Sequence, residues 1–164
     1  MKTLEQLFAH ELSVLYDCEH KTVKLLDRMA GRCGNAELRQ VLTEYRNFSE
    51  KRLVRLETVF GLVGGIPKRR PCAGMNGMIT EYSDFLQTQP SPEILDVFAV
   101  EAARRVERYS ICVYQALITL AVALDLTDAT ELLAKSLSEH NLAGGGFKAL
   151  SINLTEKLLV SASE

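Results

Sequence analysis

No apolar run in this 164-residue sequence approaches the roughly 20 residues that a membrane-spanning helix needs, so no span is expected. The N-terminus, M-K-T-L-E-Q-L-F, mixes charges into its apolar residues and lacks the core of a signal peptide. That points to a cytoplasmic protein. Charge of one sign is also missing. The net charge is -2, which supplies no field to draw in nucleic acid or anionic lipid. The single basic run, Lys68-Arg69-Arg70, is short and follows Pro67, so it reads as a solvated loop. Paired cysteines are absent as well. Cys18, Cys33, Cys72 and Cys112 are scattered, with neither C-x-x-C pairs nor zinc-like spacing, and in a reducing compartment they are free thiols. Cys18 and Cys112 fall inside helical patterns and are expected as small core residues. Cys72 follows a proline in a basic loop, and its neighbours are of the kind that lower a thiol pKa; a sensor using this cysteine is the least favoured reading. Finally, no stretch shows the alternation of a strand.

What is present is helical periodicity. Residues 3 to about 31 carry the stripe Leu4, Phe8, Leu12, Leu15, Val23, Leu26 and Met29. Thr3 and Gln6 form a capping-box pair, and Gly31 and Gly34 end the helix. A second pattern runs from Asn35 or Ala36 to Val63, with Leu38, Leu42, Tyr45, Phe48 or Ser49, Arg52, Leu56, Val59 and Val63 in line. Residues 72 to 88 predict a shorter helix with Met75, Met78, Ile79, Tyr82, Phe85 and Leu86 on one face. Ser91-Pro92 then caps a helix to about Leu124, and Thr127 or Asp128 starts the last one. The last stripe holds Leu133, Ser136 or Leu137, His140, Ala143, Phe147, Leu150 and Leu154. Gly144-Gly145-Gly146 interrupts it and predicts a kink, a break or a very close helix contact. The expected architecture is all-α and antiparallel. Four long helices form a bundle over residues 1–164 as a single domain, with a short crossover helix between the second and third long helices.

The stripes contain polar residues where leucines belong. They are Glu19 on the first helix, Arg52 on the second, Glu107 on the third, and Glu139 with His140 on the last. A carboxylate at core spacing needs a cation, a metal or hydrogen bonds, because an unpaired buried charge is very costly. One carboxylate per helix with a nearby histidine is the ligand logic of a di-metal bundle, with oxygen and imidazole donors suited to iron or manganese. The bland reading is a border residue whose head reaches water. Arg52 opposes the metal reading, since a guanidinium in the same layer repels a cation and itself neutralises carboxylates.

With these residues in view the chain resembles the YciE/YciF family of ferritin-like stress proteins. The segments that carry the resemblance are L-Y-D-C-E-H at 15–20, R-L-E-T-V-F at 55–60 and K-R-R-P-C-A-G-M-N-G-M-I at 68–79. V-E-R-Y-S-I-C-V-Y at 106–114 and S-L-S-E-H at 136–140 add to it, so that the match spans essentially the whole chain. The resemblance implies a ferritin-like bundle, a homodimer, a di-iron centre and a role in stress response. It also exposes departures. Tyr45-Arg46-Asn47-Phe48-Ser49 stands where the family has His-Leu-Glu-Glu-Thr, and Arg52 replaces a glutamine. Arg108 replaces a histidine, Ser110 an acidic residue, His140 a glutamate and Gly144 an acidic residue. Glu19, Glu107, Glu139 and His140 remain as the candidate metal ligands.

Two functional expectations follow. The favoured one is a degenerate, metal-free member acting as a structural or interaction homodimer. In it Arg52 reaches into the layer of Glu19 and Glu107 in place of the ion, and Tyr45 and Phe48 fill the former ligand volume. The alternative is a non-haem iron or manganese protein with weak oxidase or peroxide-handling activity. The apolar face of residues 75–86 is the candidate subunit contact.

Overall fold

Three of the long helices begin where the sequence supplies a side-chain acceptor for their first amides. In the computed structural model, which describes residues 1–161 with the side chains of 142–144 excepted, Gln6 N donates to Thr3 Oγ1 at 3.3 Å. Leu38 N donates to Asn35 Oδ1 at 2.9 Å, and Ile94 N to Ser91 Oγ at 3.4 Å. These caps open α1 (Leu4–Ala30), α2 (Ala36–Leu62) and α4 (Pro92–Ala123). The short α3 (Ala73–Gln87) lies between α2 and α4, and α5 (Thr127–Ser161) completes the order.

Cross-helix contacts fix the topology. The Asp96 carboxylate, near the start of α4, accepts from Gly34 N at 3.0 Å and Asn35 N at 2.8 Å, at the start of α2. The N-termini of α2 and α4 therefore lie at the same end of the bundle. Along α1 and α2 the pairs Tyr16–Glu57, Glu19–Arg52 and Asp27–Arg46 run in opposite senses, which makes these two helices antiparallel. Pairs between α2 and α5 and between α4 and α5 run the same way: Arg55 with Ser136, Tyr45 with His140, Tyr114 beside His140, Arg104 with Ser151. Each long helix thus has antiparallel neighbours, with α2 and α4 on the diagonal and parallel. Because α4 starts at the end where α2 started, the chain must travel the length of the bundle between them. Helix α3 makes that journey, packed on α1 and α4. This is a ferritin-like bundle, and none of its described helices is long and apolar enough to cross a membrane.

The crossover also explains why α4 is apolar on two sides. One side, with Val100, Ala103, Val106, Tyr114, Leu117 and Ala121, is buried in the bundle. The other meets α3: Phe98 stacks on Phe85 with centroids 3.7 Å apart, and Tyr109 lies against Gly74. A Cβ at Gly74 would stand 2.6 Å from the Tyr109 ring, so a residue without a side chain is required there.

Several expectations change. The apolar face of α3 packs against its own chain, Met75 and Tyr82 fully and Met78, Ile79 and Leu86 partly, so it is not a free subunit contact. Cys112 is exposed, facing away from both packed sides of α4. Gly31 ends α1 at φ -68, without the left-handed turn of a glycine cap, whereas Gly64 at φ +71 does adopt it after α2. Helix α5 is continuous through 144–146, and a Cβ on Gly145 or Gly146 would meet nothing within 4 Å. Neither glycine is there to admit a close helix; the side chain of Ala143, and any contact at Gly144, lie outside the described residues.

Candidate functional site

The polar residues on the stripes do face inward. Glu19, Arg52, Glu107 and His140 are buried, and Glu139 is largely so. At their centre is Glu19 Oε1. Arg52 Nε donates to it at 2.9 Å and Tyr114 Oη at 3.0 Å, and His140 Nε2 stands 3.5 Å away. Burial by itself would raise the Glu19 carboxyl. Arg52, His140 and Tyr114 overcome that and hold it at about 2. The same pairing holds Arg52 charged against its own burial.

Arg52 is positioned from its own helix. One turn earlier Ser49 Oγ accepts from its Nη2 at 2.7 Å, and the guanidinium carbon lies 5.1 Å from the centroid of the Tyr45 ring. Its Nη1 is 3.9 Å from Glu139 Oε2. Glu139 is held chiefly by Arg55, whose Nη1 donates at 2.9 Å to Oε2 while Nη2 pairs with Oε1. That bidentate pair also reaches Ser136 Oγ at 3.1 Å. Two guanidiniums from successive turns of α2 thus meet two carboxylates, one from α1 and one from α5.

His140 closes the layer. Its Nδ1 is 2.8 Å from Tyr45 Oη. With the tyrosine donating, the imidazole is the neutral tautomer whose Nε2–H points toward Glu19. Burial lowers the His140 pKa, which keeps the ring neutral beside Arg52. Among the described residues, the buried atoms Glu19 Oε2, Arg52 Nη1 and His140 Nε2 have no hydrogen-bond partner.

Glu107 stands apart from this arrangement. The expectation that Arg52 would bridge Glu19 and Glu107 is not met: Arg52 has ion pairs with Glu19 and Glu139, and none joins it to Glu107. Among the described residues the cation nearest Glu107 is Arg108 Nε at 4.0 Å, on the solvent side, and Glu107 Oε1 has no hydrogen-bond partner. Burial raises its carboxyl, and Arg108 and Arg104 offset this only in part. Sequence spacing placed Glu107 and Glu19 in one layer because both sit mid-helix on inward stripes. The level of α4 against α1 brings Tyr114, two turns on along the same face, to Glu19 instead. Phe48 is likewise outside the layer, exposed on the surface with Lys51 over its ring, so it fills no former ligand volume. Among the described residues no three His, Cys, Asp or Glu side chains are grouped as a metal site.

Tyr114, Ser49 and Arg55 are the members that spacing alone did not single out. Arg55 had a signal: it lies one turn after Arg52, the other basic residue of α2 at that spacing.

Fold and site together define a ferritin-like helical bundle in which arginine side chains neutralise the carboxylates of the central layer. Comparison with known proteins places it further. The profile described as domain of unknown function DUF892 matches residues 3–158, and the chain belongs to that family. Protein YciF of Escherichia coli K12 is 30% identical over 158 residues, covering 96% of this chain and 95% of YciF. The crystal structure of the E. coli stress protein YciF superposes with a TM-score of 0.90 at 30% identity, over 96% of this chain and 99% of that one. YcfI of Rhodopseudomonas palustris gives 0.87 at 30% identity, over 90% and 94%. A protein of Xanthomonas campestris shares the fold at a TM-score of 0.73 and 16% identity, over 96% of this chain and 99% of that one.

Proposed function

We propose that this protein is a metal-free member of its family, a cytoplasmic scaffold that acts as a homodimer through its surfaces and not by catalysis. The observation that carries the reading is Arg52. It is fully buried in the carboxylate layer, bonded to Glu19 at 2.9 Å and 3.9 Å from Glu139. A guanidinium there supplies the positive charge that an iron or manganese ion would supply, and its charge repels any second cation. The donor set agrees: α2 offers Tyr45, Ser49 and Arg52 to the layer and no carboxylate or imidazole. These residues do not fit a di-iron or di-manganese centre. The similarity to YciF, named a stress protein, and to YcfI, named a candidate structural protein, supports a stress-associated structural role for this chain.

A second reading has its own observation. Among the described residues, Glu19 Oε2, Glu107 Oε1 and His140 Nε2 are buried acceptor or donor atoms without a hydrogen-bond partner. In that reading Glu19, Glu107, Glu139 and His140 would be the ligands of a non-haem metalloprotein with weak oxidase or peroxide-handling activity, although among the described residues no three of them are grouped as a metal site. Elemental analysis of the protein as isolated, and after incubation with excess Fe(II) or Mn(II), separates the two. Substoichiometric metal under both conditions is expected. One or two tightly held ions per chain, lost in Glu107→Gln, would overturn the metal-free reading. Sedimentation equilibrium tests the dimer.

A further inference from the structure

The loop that leads from α2 to α3 is held at both ends and stands off α1 between them. At one end Gly64, with φ +71, turns the chain, and Gly65 N donates to Phe60 O at 2.9 Å. At the other end Arg70 N donates to Ser13 O at 3.0 Å, and the Cys72 amide to Asp17 Oδ2 at 2.9 Å. Between loop and helix lies a cleft of about 730 Å³. That is within the roughly 300–1,000 Å³ of small-molecule sites. Because backbone hydrogen bonds fix both ends of the loop, the cleft is formed before any ligand arrives.

Its lining has two chemistries. Buried Leu12 and Phe60 and half-buried Val63 give it an apolar floor. Ile66 stands on its rim and is 81% exposed, the most exposed large apolar side chain among the described residues. An isoleucine held in water beside an apolar floor extends that floor into a binding surface. Lys68 and Arg70 line the same cleft. Their neighbour Arg69 is paired with Asp17 at 2.8 Å, whereas no carboxylate among the described residues pairs with Lys68 or Arg70. His10 is also on the edge, with its Nε2 3.9 Å from Glu11 Oε1, but Glu11 does not line the cleft. No carboxylate does, in a chain with 21 acidic residues. Other clefts differ. Glu93 and Asp96 line the one at the starts of α2 and α4, and Asp125 and Asp128 the one between the end of α2 and the start of α5.

Two uncompensated cations over an apolar floor select their occupant. A small inorganic anion would leave the floor wet, and a neutral apolar molecule would leave the cations unanswered. We propose that this cleft binds an amphipathic anion, a molecule with an alkyl chain and a carboxylate or phosphate head. The chain lies on Leu12, Phe60, Val63 and Ile66, and the head is held by Lys68 and Arg70. Arg70 offers a planar fork that takes two oxygens of either head, and Lys68 adds a point charge. The cleft shares no residue with the carboxylate layer, so the proposal is independent of the metal-free reading.

The test is an NMR titration of the isotope-labelled full-length protein with sodium octanoate, octyl phosphate, inorganic phosphate and octanol. Saturable amide shifts confined to residues 9–13 and 60–70 are expected for both amphiphiles. Inorganic phosphate and octanol should each bind about tenfold more weakly, since each answers one half of the site. Joint Lys68→Gln and Arg70→Gln substitution should weaken octanoate about tenfold and flatten the salt dependence of its binding. Ile66→Ser should weaken it several-fold and leave the salt dependence unchanged. All three positions are exposed in the loop, so the variants should fold as the wild type does. Equal affinity for inorganic phosphate and octanoate, or an unchanged affinity in the double variant, would overturn the proposal. So would shifts centred away from the cleft, or binding to vesicles of anionic phospholipid without a saturable site for the soluble amphiphiles.

Discussion

Replacing Arg52 by methionine removes the charge from the layer while keeping most of the side-chain volume, and its effect can be worked from the structure. Glu19 is fully buried and its carboxyl sits at about 2, against an ordinary value of 4.5. A shift of this size corresponds to about 3 kcal/mol, at ~1.4 kcal/mol per pKa unit. The sign follows from the depressed folded-state value. Glu19 contributes this stability in full above about 4.5, and it is lost as the pH falls toward about 2. In Arg52→Met, Tyr114 and neutral His140 remain, but the main counter-charge is gone. Burial then dominates, and the carboxyl rises above its ordinary range. Leaving one partner of a buried pair uncompensated costs about 3–5 kcal/mol. For a chain of this length that lowers the Tm by roughly 6–20 °C. Thermal and urea denaturation across pH 2–8 would read both effects. The wild type should gain stability between pH 2 and 5. The variant should lose that gain and become less stable as the pH rises through the elevated carboxyl value. Adding Glu19→Gln to Arg52→Met should recover much of the loss, because no buried charge then remains unpaired. A single variant within about 1 kcal/mol of wild type, or an unchanged acid limb, would refute the electrostatic account of the layer.

Two further substitutions test the fold. Asp96→Ala removes the carboxylate that accepts from Gly34 N and Asn35 N and ties the start of α2 to α4, and should cost about 1–3 kcal/mol in urea denaturation. Gly145→Ala and Gly146→Ala, in mid-helix positions with nothing within 4 Å of a new Cβ, should each stabilise by about 0.5–1 kcal/mol, read as a raised Tm.

How much was legible in the sequence depends on whether the cause was local. The starts of α1, α2 and α4 were readable because Thr3, Asn35 and Ser91 act on amides three residues ahead. The glycines at 144–146 misled for the converse reason. Their propensity cost is real but small against the apolar burial of Phe147, Leu150 and Leu154 on the same helix, and packing overrides it. Cys112 was misjudged because α4 is apolar nearly all round, so periodicity could not say which narrow sector faces water. The crossover helix decided that by covering the side that carries Phe98 and Tyr109.

The candidate site divides in the same way. Glu19, Arg52, Glu107, Glu139 and His140 announced themselves as polar residues at core spacing, and all five turn inward. Their partners did not. Whether Arg52 meets Glu107 or Glu139 depends on how α4 and α5 are placed along α1 and α2, fixed by side chains many residues away. The placement of α4 along α1 puts Tyr114 at Glu19, while Glu107, two turns back on the same face, has Arg108 at 4.0 Å. The meeting of Asp17 with the Cys72 amide, 55 positions apart, is likewise a product of the crossover. By itself, then, the sequence determined the helices, their order and which polar groups must be satisfied in the interior, because hydrophobic period and capping act over a few residues. Only the tertiary structure decided which of those groups satisfy one another, because the pairing rests on how the helices are placed along one another, which no local pattern encodes.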